Sequence, residues 1–447
     1  MIVLKFGGSS VRDAAMIRRV LEIARARLPD APLLVSSAMG KTTDALVFIA
    51  AQAVAGNRQA AFARLAELRT SHQEAVSELT SAEREARLAS AVDALFDELT
   101  GLVQGVYLIR ECSKRSSDAL LSFGERLATA IIAGAAEEQG INSRLVDART
   151  LIRSDDQFGA AVPDMEETAV RTREGIEPAA GTLLVTQGFI ARTRDGVTTT
   201  LGRGGSDYTA TILGAVLDAE CVEIWTDVDG IMTADPRVIP EARPLPIISY
   251  DEAAELAYFG AKVVHPATIR PAVEKAIPVI VRNTGNPAHP GTRIEAGEPV
   301  HGVRAIASKS GITLITVESS RMLNAYGFLH ALFEVFDQHG VSVDLVATSE
   351  VSVSMTVEKD TAVDALVAQL RTLGEVSVET GKSIVCIVGQ SVLRSPRFLA
   401  GLFASLEDVP VRMISQGSSD INLSLVISED RTTDALTRLH SFAFGSS

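Results

Sequence analysis

Ile2-Val3-Leu4-Lys5-Phe6-Gly7-Gly8-Ser9-Ser10-Val11 is the stretch on which the fold turns. An apolar run breaks into paired glycines and serines, and the next apolar residues, Ile17, Val20, Leu21 and Ile23, recur at helical spacing. A short buried strand that leaves through glycine into a helix is the opening unit of an α/β domain. Paired glycines also let backbone N–H groups close on phosphate oxygens, and Lys5 adds a positive charge there. An ordinary strand-to-helix turn with Ser9 or Ser10 as N-cap accounts for the same residues, so the meaning of the loop depends on its company.

Further strand-like runs at 32–36, 182–187, 221–225 and 277–281 are short, apolar and mostly followed by Gly, Asp or Asn. Between the first two lies a helical stretch in which Leu88, Val92, Leu95, Phe96, Leu99 and Leu102 repeat at helical spacing, a packing signal. Residues 1–294 therefore read as an α/β domain with a central, mainly parallel sheet between helices. The Gly- and Pro-rich run Asn283-Thr284-Gly285-Asn286-Pro287-Ala288-His289-Pro290-Gly291 closes it. In 295–447 the texture changes: a strand at 312–317, a helix with Phe328, Leu332, Phe333 and Phe336 on one face, and strands at 341–346 and 351–357. The same order then returns as 384–388, a helix with Phe398, Leu399, Leu402 and Phe403, 409–414 and 421–427, predicting two small α+β repeats, about 302–380 and 381–447.

The chain has 447 residues, 46% hydrophobic and 22% charged, with a formal charge of −14. That length points to more than one domain, and the acidic balance without a Lys/Arg cluster argues against nucleic acid. No uninterrupted apolar run reaches the roughly 18 residues of a membrane span, and no signal-peptide pattern follows Met1, so a cytoplasmic protein is expected. Cys112, Cys221 and Cys386 share no metal or redox spacing and are expected to be packing residues.

A second glycine loop, Leu201-Gly202-Arg203-Gly204-Gly205-Ser206-Asp207, opens a helix with Ser206 at the expected N-cap, an anion site by composition. It fails the dinucleotide pattern, because Asp207 stands where the third glycine belongs. Gly40-Lys41-Thr42 fails the P-loop pattern, because Val35 stands where its first glycine belongs. The loop 36–43 is instead a strand end offering hydroxyls and N–H groups, or only a turn. Glu125, in the first turn of a helix, is either favoured there by the dipole or aimed at a substrate ammonium. Thr226-Asp227-Val228-Asp229-Gly230 follows a strand, where open α/β sheets bind ligands. Arg237 could reach a nucleotide or pair with a neighbouring carboxylate, and His265 is assigned to packing. No GxSxG elbow or HExxH helix is present. Glycine loops, two lysines and few histidines suit phosphoryl transfer, which needs positioning and charge neutralisation.

Together these segments resemble the aspartokinases of the amino-acid kinase superfamily, specifically the monofunctional lysine-sensitive type. The motifs that carry the resemblance are Lys5–Val11, Thr199–Ala210, Trp225-Thr226-Asp227-Val228 and Phe259-Gly260-Ala261-Lys262-Val263 through His265-Pro266, in the family's order and over almost the whole chain. The resemblance implies ATP plus L-aspartate giving ADP and 4-phospho-L-aspartate, with Mg²⁺, as the first step toward lysine, methionine and threonine. Lys5 and Lys262 would stabilise the transferring phosphoryl group and Asp207 would orient Lys5. Phe6, Gly7, Gly8, Thr226, Asp227, Met232, Arg237 and Val263 would border ATP. Thr43, Glu125, Arg203, Gly204, Gly205 and Ser206 would hold aspartate, Arg203 a carboxylate and Glu125 the ammonium. Met232 replaces the family's tyrosine.

The C-terminal repeats resemble tandem ACT domains, ferredoxin-like βαββαβ modules that bind amino-acid effectors and pair between subunits; the resemblance implies that they are intertwined, the second inserted within the first. A homodimer, possibly a tetramer, is thereby implied, with effector residues Met322, Ala325, Phe328, Leu329, Val343, Asp344, Ser349 and Glu350. Asp344 and Glu350 suit the ammonium of lysine, Ala325 in place of the family's serine speaks against lysine in particular, and threonine is the alternative. A kinase of glutamate or acetylglutamate is the nearest rival, and the insertion at 60–110 and the repeats argue against it. A catalytically dead ACT sensor is the rival of another class, and the presence of Lys5, Glu125, Arg203, Asp207 and Lys262 argues against it. The length leaves no dinucleotide domain behind the repeats, as a fused homoserine dehydrogenase would need.

Overall fold

The opening run forms strand Ile2–Phe6, with all five residues buried, and it lies in the interior of a sheet because both its faces are apolar. It pairs in parallel with Pro32–Ser36 on one side and Val222–Thr226 on the other, so that Lys5 sits opposite Val35 and Ile224. The computed structural model describes residues 1–259, 264–297, 301–322, 326–359, 363–390, 394–416 and 421–445. They fall into two units: Met1–Ile231 with Pro246–Tyr250 and Val263–Ala296, and Met232–Leu245 with Asp251–Lys262 and Gly297–Ser447.

Among the described residues of the first unit, eight strands form one sheet in the order Ser143–Val146, Leu183–Gln187, Pro32–Ser36, Ile2–Phe6, Val222–Thr226, Val279–Asn283, Thr292–Glu295 and Ile247–Ser249. Only Thr292–Glu295 against Val279–Asn283 is antiparallel. The chain leaves Ile2–Phe6 toward one edge and later returns on the opposite side, which makes its carboxyl end a topological switch point, where such sheets bind ligands. Helix Ala14–Ala26 packs Ile17, Val20, Leu21 and Ala24 onto the sheet. Its cap is Asp13, which accepts from Met16 N at 2.8 Å; neither Ser9 nor Ser10 caps it. The insertion is two helices, Arg58–Leu79 and Ala82–Ile109, burying Val92, Phe96 and Leu99. The run Lys114–Glu138 is long and apolar enough to cross a membrane by composition, and 72% of its most apolar window is buried inside the protein, as in a core helix.

The second unit contains a six-stranded sheet whose central strands, Gly302–Glu318 and Glu375–Gln390, run antiparallel along most of their length. Each changes allegiance midway. Residues 312–318 pair with Ser352–Glu358, while 382–388 pair with Asn422–Ser428. Gly311 (φ 71°) and Gly381 (φ 64°) sit at these changeovers, in a conformation that glycine adopts without a Cβ penalty. The first repeat is thus inserted between strand halves that belong to the second, the reverse of the expected nesting, because the outer halves of the two central strands pair with each other and the later of them with Asn422–Ser428. Separate cores lie under the two halves, one around Leu332, Phe336 and Leu366, the other around Leu402, Leu425 and Leu436.

The expected strand at 341–346 is irregular until Val346–Thr348. Asp344 N donates to Thr356 O at 2.9 Å, but the next amide, Leu345 N, donates to the Thr356 hydroxyl at 2.9 Å while Leu345 O accepts from Thr356 N, so the pairing with Ser352–Glu358 becomes regular only at Val346. His265 is not a packing residue: its Nδ1 accepts from Ala267 N at 3.3 Å and caps helix Pro266–Glu274. Of the cysteines only Cys386 is fully buried; Cys112 and Cys221 are intermediate.

Candidate active site

Lys5 is the penultimate residue of its strand, only 8% exposed, and a buried ammonium requires a counter-charge. Asp207 supplies it, with Lys5 Nζ 2.5 Å from Asp207 Oδ1. Asp207 lies in the first turn of helix Gly205–Val216, where the dipole favours a carboxylate. The helix is entered through Gly204 at φ 70° and not through Ser206, which is its second residue and lines the cleft. The turn after Lys5 is fastened to its neighbours: Gly7 N donates to Trp225 O at 3.2 Å and Gly40 N to Gly8 O at 3.1 Å. Beneath it Phe6 stacks on Trp225 at 5.8 Å between ring centroids.

Glu125 is the second ionisable group of the site. Oε1 accepts from Ala38 N at 3.1 Å, whereas Oε2 is buried with no hydrogen-bond partner. This contact exists because residue 124 is glycine: a Cβ there would lie 2.7 Å from that of Ala38. Full burial pushes the Glu125 carboxyl up to about 8, against the opposing effect of the Ala38 amide, so the group is a neutral acid at neutral pH until a cation arrives.

Lys5, Gly8, Ser37, Ala38, Gly40, Thr43, Glu125, Phe189, Gly202, Gly204, Gly205, Ser206 and Asp207 line one cleft of about 310 Å³. The structure therefore unites Lys5, Gly8, Thr43, Glu125, Gly204, Gly205, Ser206 and Asp207 of the expected site. Arg203 lines an adjoining cavity of about 540 Å³, which shares Phe189 and Gly202 with the cleft. Its side chain is exposed, with no ion pair to it among the described residues. Chemically, the cleft offers a fixed cation, an unpartnered buried carboxyl, hydroxyls and a glycine-bordered helix start.

Of the expected nucleotide residues, Phe6 has its ring in the core and leaves only its backbone for a ligand. Thr226 ends the neighbouring strand and donates to Asp227 Oδ1 at 3.1 Å. Met232 and Arg237 belong to the second unit, where Arg237 pairs with Asp235 at 2.7 Å. Lys262, Val263 and Ala325 lie outside the described residues.

Of the expected effector residues, Met322, Phe328 and Val343 pack against the core of the first repeat, while Leu329 and Glu350 are exposed. Ser349 shares a hydrogen bond with Ser352 at 2.7 Å. Asp344 Oδ1 accepts from both Lys309 Nζ and Tyr258 Oη, each at 2.8 Å, and its Oδ2 is buried without a partner. Burial and the Asp344 carboxylate hold the Tyr258 phenol far above its usual range, so it remains a donor.

Three residues of the site escaped sequence reasoning. Gly124 gave no signal beyond its place beside Glu125. Ser10, read as a possible cap, bonds Thr284 Oγ1 at 2.7 Å and Trp225 O at 3.3 Å, joining three strand ends. Phe189 walls both cavities at φ 68°, a strained conformation for a residue with a Cβ, fixed by hydrogen bonds of its N to Thr209 Oγ1 and of its O to Leu201 N.

The profile of the amino acid kinase family matches residues 1–283, and that of an ACT domain matches 315–369 and 385–442. The lysine-sensitive aspartokinase 3 of Escherichia coli is 36% identical over 99% of each chain. The crystal structure of E. coli aspartokinase III with aspartate and ADP, its R-state, superposes with a TM-score of 0.85 at 35% identity, over 99% of this chain and 100% of that one. The same enzyme with lysine and aspartate, its T-state, gives 0.80 at 34% identity over 99% of both chains. A cleft with the paired lysine, the unpartnered glutamate and the glycine-bordered helix start, on a fold shared end to end, places this chain in the amino acid kinase family, among the aspartokinases.

Proposed function

We propose that the cleft transfers the terminal phosphoryl group of ATP to the side-chain carboxylate of L-aspartate, giving ADP and 4-phospho-L-aspartate. The observation that carries this reading is Glu125 Oε2, buried and unpartnered in the cleft that Lys5 also lines. An ammonium bound there satisfies the orphaned oxygen. Arg203 takes a carboxylate of the substrate, with Thr43, Gly204, Gly205 and Ser206 between them. Lys5, oriented by Asp207, faces the phosphoryl oxygens, and Lys262 acts as the second lysine. Phe6 to Gly8, Thr226, Asp227, Met232, Arg237 and Val263 border the nucleotide. The E. coli relative crystallised with aspartate and ADP supports this reading.

Mg²⁺ enters with the nucleotide. Among the described residues no group of three His, Cys, Asp or Glu forms a dedicated site, which fits an ion that keeps its waters and substrate phosphates and takes one or two carboxylates. Asp207 is the carboxylate on the cleft wall that would hold it, and the ion would neutralise phosphate charge. ADP release measured with aspartate, glutamate and acetylglutamate, together with hydroxylamine capture of the acyl phosphate, tests the reading. Aspartate alone is expected to support turnover; no aspartate-dependent ADP, or equal rates with glutamate, would overturn it.

The second part of the reading is feedback by an amino acid at the regulatory repeats, in a dimer joined through them. It is supported by the buried, unpartnered Asp344 Oδ2 and by the relative crystallised with lysine. Lysine is expected to inhibit, and Glu350→Ala or Thr348→Met to raise the concentration for half-inhibition. An enzyme indifferent to saturating lysine and threonine would remove the effector site from this account.

A further inference from the structure

Asp118 is buried at 1% exposure on helix Lys114–Leu121 and lines the adjoining cavity with Arg203, not the cleft itself, and its carboxylate takes three hydrogen bonds from other segments. Oδ2 accepts from Gly159 N at 3.0 Å and from Thr200 N at 2.8 Å, and Oδ1 accepts from Thr200 Oγ1 at 2.8 Å. Thr200 immediately precedes Leu201-Gly202-Arg203. Gly159 also touches that loop, because a Cβ on Gly202 would lie 3.3 Å from Gly159 O. One carboxylate therefore grips both sides of the turn that delivers Arg203. In the other direction, Asp118 O accepts from Ser122 N at 3.0 Å, at the junction with helix Phe123–Glu138, whose first turn carries Glu125. The two groups assigned to the ends of aspartate thus hang from a single residue.

We propose that Asp118 is a positioning residue for substrate recognition, holding the Arg203 loop at a fixed distance from Glu125 and so setting the span of amino acid the cleft accepts. It rests on the assignment of Arg203 and Glu125 to aspartate. Asparagine weakens this grip: its amide oxygen can still accept from Gly159 N and Thr200 N and its NH₂ can turn to Thr200 Oγ1, but the charge that strengthens the carboxylate's bonds is lost. Loosening the loop lowers the affinity for aspartate while leaving the nucleotide side untouched, because misplacement of a binding group by a fraction of an ångström weakens the contacts it makes.

The test is a double-mutant cycle with Asp118→Asn, Arg203→Ala and both together, reading KM for aspartate, KM for ATP and kcat. Asp118→Asn is expected to raise KM for aspartate about 10-fold with KM for ATP changed less than about 2-fold, and to add nothing in the Arg203→Ala background. Thr200→Val, which removes one of the three hydrogen bonds, is expected to act in the same sense more weakly, and it serves alone if Asp118→Asn does not fold. A normal KM for aspartate in Arg203→Ala would sink the substrate assignment itself. A raised KM in Arg203→Ala with either no effect of the Asp118 and Thr200 variants, fully additive effects, or equal losses for both substrates would overturn the positioning role and leave the assignment standing.

Discussion

Lys5→Ala is expected to lower kcat by on the order of 10³-fold, because it removes a preorganised cation aimed at charge that develops in the transition state. Lys5→Arg is not expected to restore it. A planar guanidinium presents a rigid fork of donors in place of the compact ammonium that lies 2.5 Å from Asp207, so it does not reproduce the geometry of the point charge. A folding cost accompanies the alanine variant, since Asp207 is left with a mostly buried, unpaired carboxylate, a situation worth about 3 kcal/mol. Lys5→Ala/Asp207→Asn should recover much of the melting temperature without recovering turnover. Turnover at saturating aspartate and Mg·ATP, read beside a thermal melt, separates the two effects. Near-normal kcat in a folded Lys5→Ala protein would exclude the role.

Aspartate affinity is expected to depend on pH through Glu125. Burial raises this carboxyl from 4.5 to about 8, so the free enzyme holds a proton there at neutral pH, and an ammonium ligand has to displace it. KM for aspartate should therefore fall as pH rises toward about 8, with uptake of aspartate releasing a proton that calorimetry in buffers of different ionisation enthalpy detects. The sign for stability is opposite. The folded state binds more protons than the unfolded chain between pH 4.5 and about 8, so this group makes the free enzyme less stable as pH rises through that window. Glu125→Gln should raise KM for aspartate roughly 10²- to 10³-fold, the cost of losing one member of a buried charge pair, and abolish the pH dependence. A variant that keeps the wild-type pH profile would show that some other group titrates.

Much of the fold was legible because buried parallel strands carry a strong signal. The runs at 2–6 and 32–36 became strands with those bounds, and the two glycine turns were visible as breaks in apolar sequence. The repeats were legible from recurring order, but not the way they interleave, since periodicity records which residues face a core and not which neighbour a strand pairs with. The segment 341–346 misled because Val341, Val343 and Leu345 alternate as a strand does, while the Thr356 hydroxyl takes the Leu345 amide and regular pairing begins only at Val346. In the cleft, charged residues in glycine-rich loops stood out. Gly124, Ser10, Phe189 and Asp118 did not, because their contributions are tertiary: a missing Cβ beside Ala38, a hydroxyl across strand ends, a strained backbone, and a carboxylate bonded to amides far away in sequence.

The interleaved regulatory strands give the two repeats unequal independence. Ile312 is the register partner of Lys382, and Lys309 of Ile384, so the ends of the inner repeat meet across a single ladder rung. All eight residues expected to hold the effector lie between them. An insertion whose ends meet can be removed or exchanged by closing one hairpin, as insertions with adjacent termini generally tolerate. The outer repeat has no such freedom, because its segments lie on both sides of the inner one along the chain and Gly302–Glu318 and Glu375–Gln390 each run through both halves of the sheet. The proposed effector site therefore sits wholly on a segment that can be exchanged without disturbing the frame that carries it.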